Sequence, residues 1–213
     1  LIDSVFERYG VPVFRSAMED ILEKPVLALV TAALAAAGSD YPYEELFRYL
    51  ASLVNREEAA DAYLAEFDDR AATVKDEMVR IVGDRTVSIM EVWPQEIYVM
   101  GSHFARGGTI LYDRWGLKAP EAIQGPMVEG DEAYKVISVE ALPDYAGDFI
   151  CYGVLDGADS AYVDDSQLWQ NLPAVQAGRV MPYEQVAFMH RDPITLSHQL
   201  EAFTDFFRAH AGD

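Results

Sequence analysis

Apolar residues recur every three or four positions through residues 44–81. Leu46, Phe47, Leu50, Leu53 and Val54 make one helical face. Ala60, Tyr63, Leu64, Phe67, Ala71, Val74, Met78 and Ile81 make a second. Asp61, Glu66, Asp69, Arg70, Lys75 and Asp76 take the opposite side of that second helix. It is expected to run about 25 residues, roughly 37 Å at 1.5 Å per residue. Asn55 with Glu58 reads as its N-terminal cap, and Gly83 with Asp84 as its stop. Such a length suits a strut lying across a domain.

Beyond residue 84 the period changes. Residues 86–92 are rich in β-branched and apolar side chains, as strands are. Pro94 interrupts them, and residues 97–100 resume the apolar run. The glycine-bearing stretch 101–108 then turns into a helix at 109–115, closed by Gly116. Residues 120–132 read as irregular, 138–142 as a short helix capped by Ser138, and 149–155 as a buried strand. Helical turns are expected around Trp169 and Pro173, then a short strand at 180–181. Residues 183–192 read as a loop mixing aromatic and basic side chains. Leu196, Leu200, Phe203 and Phe207 mark a last amphipathic helix. At the front, a short strand at 11–14 and a buried helix at 25–38 are expected. Strands alternating with helices predict an α/β fold with a mostly parallel sheet.

Composition narrows the function. The chain has 213 residues and is 51% apolar, enough for a substantial core. Its 16 Lys and Arg against 36 Asp and Glu give a net charge of −20. That argues against a nucleic-acid partner, whose phosphates need a concentrated basic surface. The single cysteine, Cys151, excludes an internal disulfide and sits within a strand-like run, as a small buried hydrophobe does.

Candidate chemistry points to binding. The stretch 101–108 lacks both the Gly-Lys-Ser/Thr ending of a phosphate loop and the dinucleotide-binding glycine spacing, so its glycines read as turn-makers. The four histidines have no zinc-type spacing. No Gly-x-Ser-x-Gly elbow is present, and the aspartates at 156, 164 and 165 lack the calcium-loop pattern. Trp93 and Arg106 fall where strands end and loops begin, the edge at which open α/β sheets bind ligands. Strand alternation puts Glu91 and Trp93 on one face, and a carboxylate inside a strand needs a partner. An indole there fits either core or ligand contact. Phe188, His190 and Arg191 gather an aromatic, an imidazole and a cation in one loop.

Five phrases in order carry a family resemblance. They are YEELFRYL with NREEA at 43–59, EIYVMG with FARGG, YD and GLKAP at 96–120, SVEALPDYAGDFI at 138–150, WQNLPAVQAGRV at 169–180, and DPITL at 192–196. Together they resemble the C-terminal half of the periplasmic binding proteins for iron–siderophore complexes, the ferrichrome- and bacillibactin-binding type of ABC-transporter receptor. The resemblance covers residues 43–207. It implies a three-layer αβα lobe preceded by a long inter-lobe helix, with ligand held at a cleft. Residues 1–43 would be a reduced or truncated N-terminal lobe, 44–83 the inter-lobe helices, and 84–213 the C-terminal ligand-binding lobe with its terminal helix.

The resemblance also implies roles. Trp93, with Glu91 beside it, would contact ligand, and Arg106 would face the cleft or brace its loop. Tyr183, Phe188, His190 and Arg191 would lie on a cleft-lining loop. Glu140, exposed in Ser-x-Glu, would dock on an arginine of the transporter permease. Many relatives carry an arginine near the position where this chain has Pro94 and Gln95. Together with the charge of −20, that favours a ferric hydroxamate over a triply anionic catecholate. No catalysis and no intrinsic cofactor are implied, since the iron arrives wrapped in its siderophore. An exposed cleft surface could also pair with a second copy. Two settings stay open. One is an extracytoplasmic receptor, lipid-anchored where the full-length protein has a signal. The other is a cytoplasmic sensor fused to a helix-turn-helix regulator, which the lack of a lipobox cysteine in these residues would fit.

Overall fold

The computed structural model describes residues 43–212. The strand and helix expected at 11–14 and 25–38, and the reduced lobe assigned to the front, lie outside the described residues. Two helices open the described part, α1 (Tyr43–Ser52) and α2 (Glu57–Val82). The expected strut is thus a helix of 26 residues. It buries Ala60, Leu64, Phe67, Ala71, Met78 and Ile81 along one stripe, as their spacing requires. Its start differs from expectation. Arg56, not Asn55, holds the N-cap position, and no side chain caps it. Asn55 sits at φ 54° in the turn that ends α1, a left-handed conformation that asparagine tolerates. Gly83 closes α2 at φ 63°. The Arg85 guanidinium then donates to the Ile81 and Val82 carbonyls, which the helix end leaves unpaired.

Five strands follow: β1 (Val87–Trp93), β2 (Glu96–Met100), β3 (Tyr134–Ile137), β4 (Phe149–Val154) and β5 (Val180–Glu184). They form one sheet in the order β3-β2-β1-β4-β5. β1, β4 and β5 pair in parallel, while β2 is antiparallel to both β1 and β3. All strands but β2 therefore run the same way. Pro94 and Gln95 form the tight turn of the β1–β2 hairpin, with Gln95 at φ 61°.

Several segments depart from their reading. β3 falls in a stretch with no strand signal, because three of its four side chains are exposed. Pairing with β2 makes it a strand. Residues 120–132 are largely helical, with a turn at Glu121–Ile123 running into a π-helical one at Gln124–Glu129. The helix expected at 109–115 is a π-helical turn, Thr109–Arg114. Tyr183 belongs to β5, not to a loop, and Gln185–Phe188 winds into a helical turn.

The last helix, α3 (Pro193–Ala209), is capped by the Asp192 carboxylate, which accepts from the Ile194 and Thr195 N–H groups. α3 covers one face of the sheet, where Phe149 of β4 meets Phe206 and Phe207 edge-on. Trp115 packs against Phe203 and Phe207 and donates its indole N–H to the Ala71 carbonyl, which ties α2 to the same layer. On the opposite face Tyr152 stacks on Trp169 at 4.6 Å. The result is the three-layer αβα lobe. Cys151 lies fully buried between the layers, and burial holds its thiol far above the usual pKa. No described helix is long and apolar enough to cross a membrane.

Candidate functional site

Glu91 organises the site. Strand alternation points it, with Trp93, to the face that carries α3, and it is completely buried. Such a carboxylate must be matched group by group. Arg106 supplies most of the match, with Nε 2.6 Å from Oε2 and Nη2 3.1 Å from Oε1. The Trp93 indole N–H donates to Oε1 at 2.7 Å. The Tyr183 hydroxyl lies 3.3 Å from both Oε2 and the Met90 carbonyl. Burial first, and the neighbouring Glu91 carboxylate second, push that hydroxyl well above the ordinary tyrosine pKa. It therefore stays a donor.

Register explains how Tyr183 arrives. Gly153 of β4 sits between Glu91 on one side and Tyr183 on the other. A Cβ on Gly153 would run into the Tyr183 ring. The missing side chain lets the phenol lie across β4 and reach β1. An isolated glycine within an apolar strand signals such a close approach, and Gly153 carries that signal here.

The glycine-bearing stretch delivers Arg106. Arg106 itself takes φ 80°, a conformation costing on the order of 1–3 kcal/mol for a non-glycine residue. Its contacts hold it there. Its N–H donates to the Phe188 carbonyl and its Nη1 to the Met189 carbonyl. Gly107 follows at φ 98°, where a Cβ would meet the Phe203 ring. The buried amide of Gln199 on α3 donates to the Phe188 carbonyl as well. Loops 101–108 and 188–190 are thereby locked together, and Phe188 stacks on Tyr183 at 4.8 Å.

Above this polar knot lies an aromatic row. Trp93 and Tyr98 have ring centroids 4.7 Å apart, Tyr98 and Tyr134 5.4 Å, and Tyr134 and Phe104 5.4 Å. The Arg106 guanidinium lies 5.6 Å from the Phe104 centroid. Trp93, Tyr98 and Phe104 are half-buried, and Tyr134 is 47% exposed. The Tyr162 hydroxyl reaches the Trp93 and Glu96 carbonyls and braces the turn beneath the row.

The expected residues separate accordingly. Glu91, Trp93, Arg106, Tyr183 and Phe188 come together. His190 is exposed and Arg191 half-buried on the adjoining loop. Glu140 stands apart, exposed in the 3₁₀ turn Val139–Ala141. The Ser138 hydroxyl and its own backbone N–H hold its carboxyl below the usual range. Tyr98, Phe104 and Tyr134 were missed as site residues. Period-two patterning marks an outward residue but cannot tell that three such rings touch. Among the described residues no cluster of three or more His, Cys, Asp or Glu is placed to hold a metal ion. Two surface depressions, of about 790 and 770 Å³, lie at the end of α2 and between α2 and α3, away from the aromatic row. The arrangement is a run of tilted, partly exposed aromatic rings beside a buried, mutually neutralised ion pair.

Comparison with known proteins shows the family. The periplasmic binding protein family matches residues 14–187. The iron(3+)-hydroxamate-binding protein FhuD of Bacillus subtilis (strain 168) is 38% identical over 162 residues, 76% of this chain and 51% of that protein. The iron(3+)-hydroxamate-binding protein YxeB of the same organism is 28% identical over 168 residues, 76% of this chain and 52% of that protein. The chain thus spans about half the length of these curated relatives. Among solved structures, a periplasmic binding protein component of a Fep/Fec-like ferrichrome ABC transporter from Bacillus subtilis superposes with a TM-score of 0.75 at 36% identity. That match covers 79% of this chain and 62% of the other.

Proposed function

The chain belongs to the periplasmic binding protein family, and on that premise we propose that it is the ligand-capturing lobe of an extracytoplasmic receptor for ferric hydroxamate siderophores. It performs no chemistry on its cargo. The observation that carries the reading is the aromatic row of Trp93, Tyr98, Tyr134 and Phe104 set over the Glu91–Arg106 pair. A ferric tris-hydroxamate is a compact body with an apolar backbone and a shell of oxygens. Aromatic surface takes the first, and a few fixed donors take the second. The names of the two Bacillus subtilis relatives point to the same ligand class.

Trp93 is placed to report on binding. The other two tryptophans, Trp115 and Trp169, are 1% and 6% exposed, so a ligand quenches mainly Trp93. Titrating the chain with a ferric tris-hydroxamate is expected to quench its fluorescence. In Trp93→Ala most of that quenching disappears and affinity falls about tenfold, the equivalent of ~1.4 kcal/mol for a contact aromatic. Quenching of the same depth in Trp93→Ala would remove Trp93 from the site.

Delivery to an ABC importer is assigned to Glu140, which is exposed and held as a carboxylate. Glu140→Ala is expected to leave siderophore affinity unchanged while weakening association with the permease in a reconstituted transporter. Loss of siderophore affinity instead would give Glu140 a role in the ligand site.

A further inference from the structure

We propose that Glu91 sets the charge class of ferric complex that this site accepts, by cancelling the cation beneath the aromatic row. The inference rests on the siderophore-receptor reading. Glu91 and Arg106 are the only buried charged side chains among the described residues. They face each other, Arg106 Nε to Glu91 Oε2 at 2.6 Å, with 4% of the arginine side chain and none of the glutamate exposed. The remaining acceptor positions of Glu91 are taken by the Trp93 indole and the Tyr183 hydroxyl. The guanidinium has five N–H donors in a fixed fork. Glu91 and the Met189 carbonyl use three of them. Paired in this way, the two side chains present a dipole and no net charge.

The position makes this cancellation matter. The guanidinium lies 5.6 Å from the Phe104 centroid, so an uncompensated charge there would act on anything seated on the row. In surroundings of low dielectric such a charge is felt strongly at that range. A ferric tris-catecholate carries three negative charges and would be drawn to it. A ferric tris-hydroxamate, neutral or singly positive, would not. Glu96, which accepts from the Tyr98 hydroxyl at the edge of the row, adds further negative charge. With Glu91 in place the site meets a trianion with no attracting charge from this pair.

Three forms of the chain test the proposal: wild type, Glu91→Gln, and Glu91→Gln combined with Arg106→Gln. Dissociation constants for a neutral ferric tris-hydroxamate and a ferric tris-catecholate are measured by equilibrium dialysis, read from the colour of the complexes, at low and high salt. Glu91→Gln is expected to shift the ratio of the two constants about tenfold or more toward the trianion, by an amount that shrinks as salt rises. The double variant is expected to return the wild-type ratio, because its site is again uncharged. An unchanged ratio in Glu91→Gln overturns the proposal. Should Glu91→Gln fail to fold, as circular dichroism would show, the double variant decides alone. A wild-type ratio supports the proposal. Trianion binding weaker than wild type means that the Arg106 charge already reaches the ligand, and the proposal falls. If the wild type binds neither complex, the receptor reading fails and takes this inference with it.

Discussion

Arg106→Ala is expected to lower the stability of the chain by about 3–5 kcal/mol, the usual cost of removing one partner of a buried ion pair. Three losses combine. Glu91 would lose its cationic partner in a place that water does not reach. The Met189 carbonyl would lose its guanidinium donor, and with it part of the link between loops 101–108 and 188–190. The backbone strain at φ 80° would remain with less to hold it. For a domain of this size the fall corresponds to a melting-temperature drop of roughly 10 °C. Replacing both residues by apolar groups of matching volume, Glu91→Leu with Arg106→Met, is expected to recover most of the loss, because no charge is then left unpaired. Urea unfolding of Glu91→Leu, Arg106→Met and their double completes the cycle. A loss below about 1 kcal/mol in Arg106→Ala, the range of solvent-exposed pairs, would show that water reaches the pair.

Phe203→Ala is expected to be of similar size, about 3–5 kcal/mol, for a different reason. Phe203 is fully buried on α3 and touches Trp115 on one side and Phe188 on the other, with ring centroids 6.4 and 5.6 Å away. It also fills the space that Gly107 leaves open. Truncation would leave a cavity that a rigid three-layer core cannot close. It would also loosen Phe188 from its stack on Tyr183, so siderophore affinity is expected to drop together with stability. Phe206→Ala, a half-buried neighbour on the same helix, should cost clearly less. Equal losses for the two would mean that the core redistributes around either hole, and that Phe203 has no special link to the site.

Legibility in the sequence followed the strength of local signals. α2 could be read nearly to its ends, because eight apolar residues keep one helical stripe over 26 residues. β1 and β4 could be read because their side chains are buried on both faces, which writes a continuous apolar run. β3 could not, since Tyr134, Lys135 and Val136 are exposed on an edge strand. Its hydrogen bonds come from β2, and local propensity says nothing of them. The cap expected of Asn55 failed because that residue turns left-handed at the end of α1, which leaves Arg56 at the N-cap position.

The same division runs through the site. Alternation along β1 by itself determined that Glu91 and Trp93 share a face, and the need to match a buried carboxylate determined that Glu91 has a strong partner. The family was also readable, in five short phrases. Which cation answers Glu91, and which rings gather above it, only the tertiary structure decided. Arg106 and Tyr183 stand 15 and 92 residues further along the chain. Tyr183 reaches Glu91 because two parallel registers align at Gly153, which has no side chain to stop it. Periodicity settles the direction in which a side chain leaves its own backbone. The neighbour it then meets depends on strand pairings spread over the whole sheet, each small in energy and none of them encoded at the residue itself.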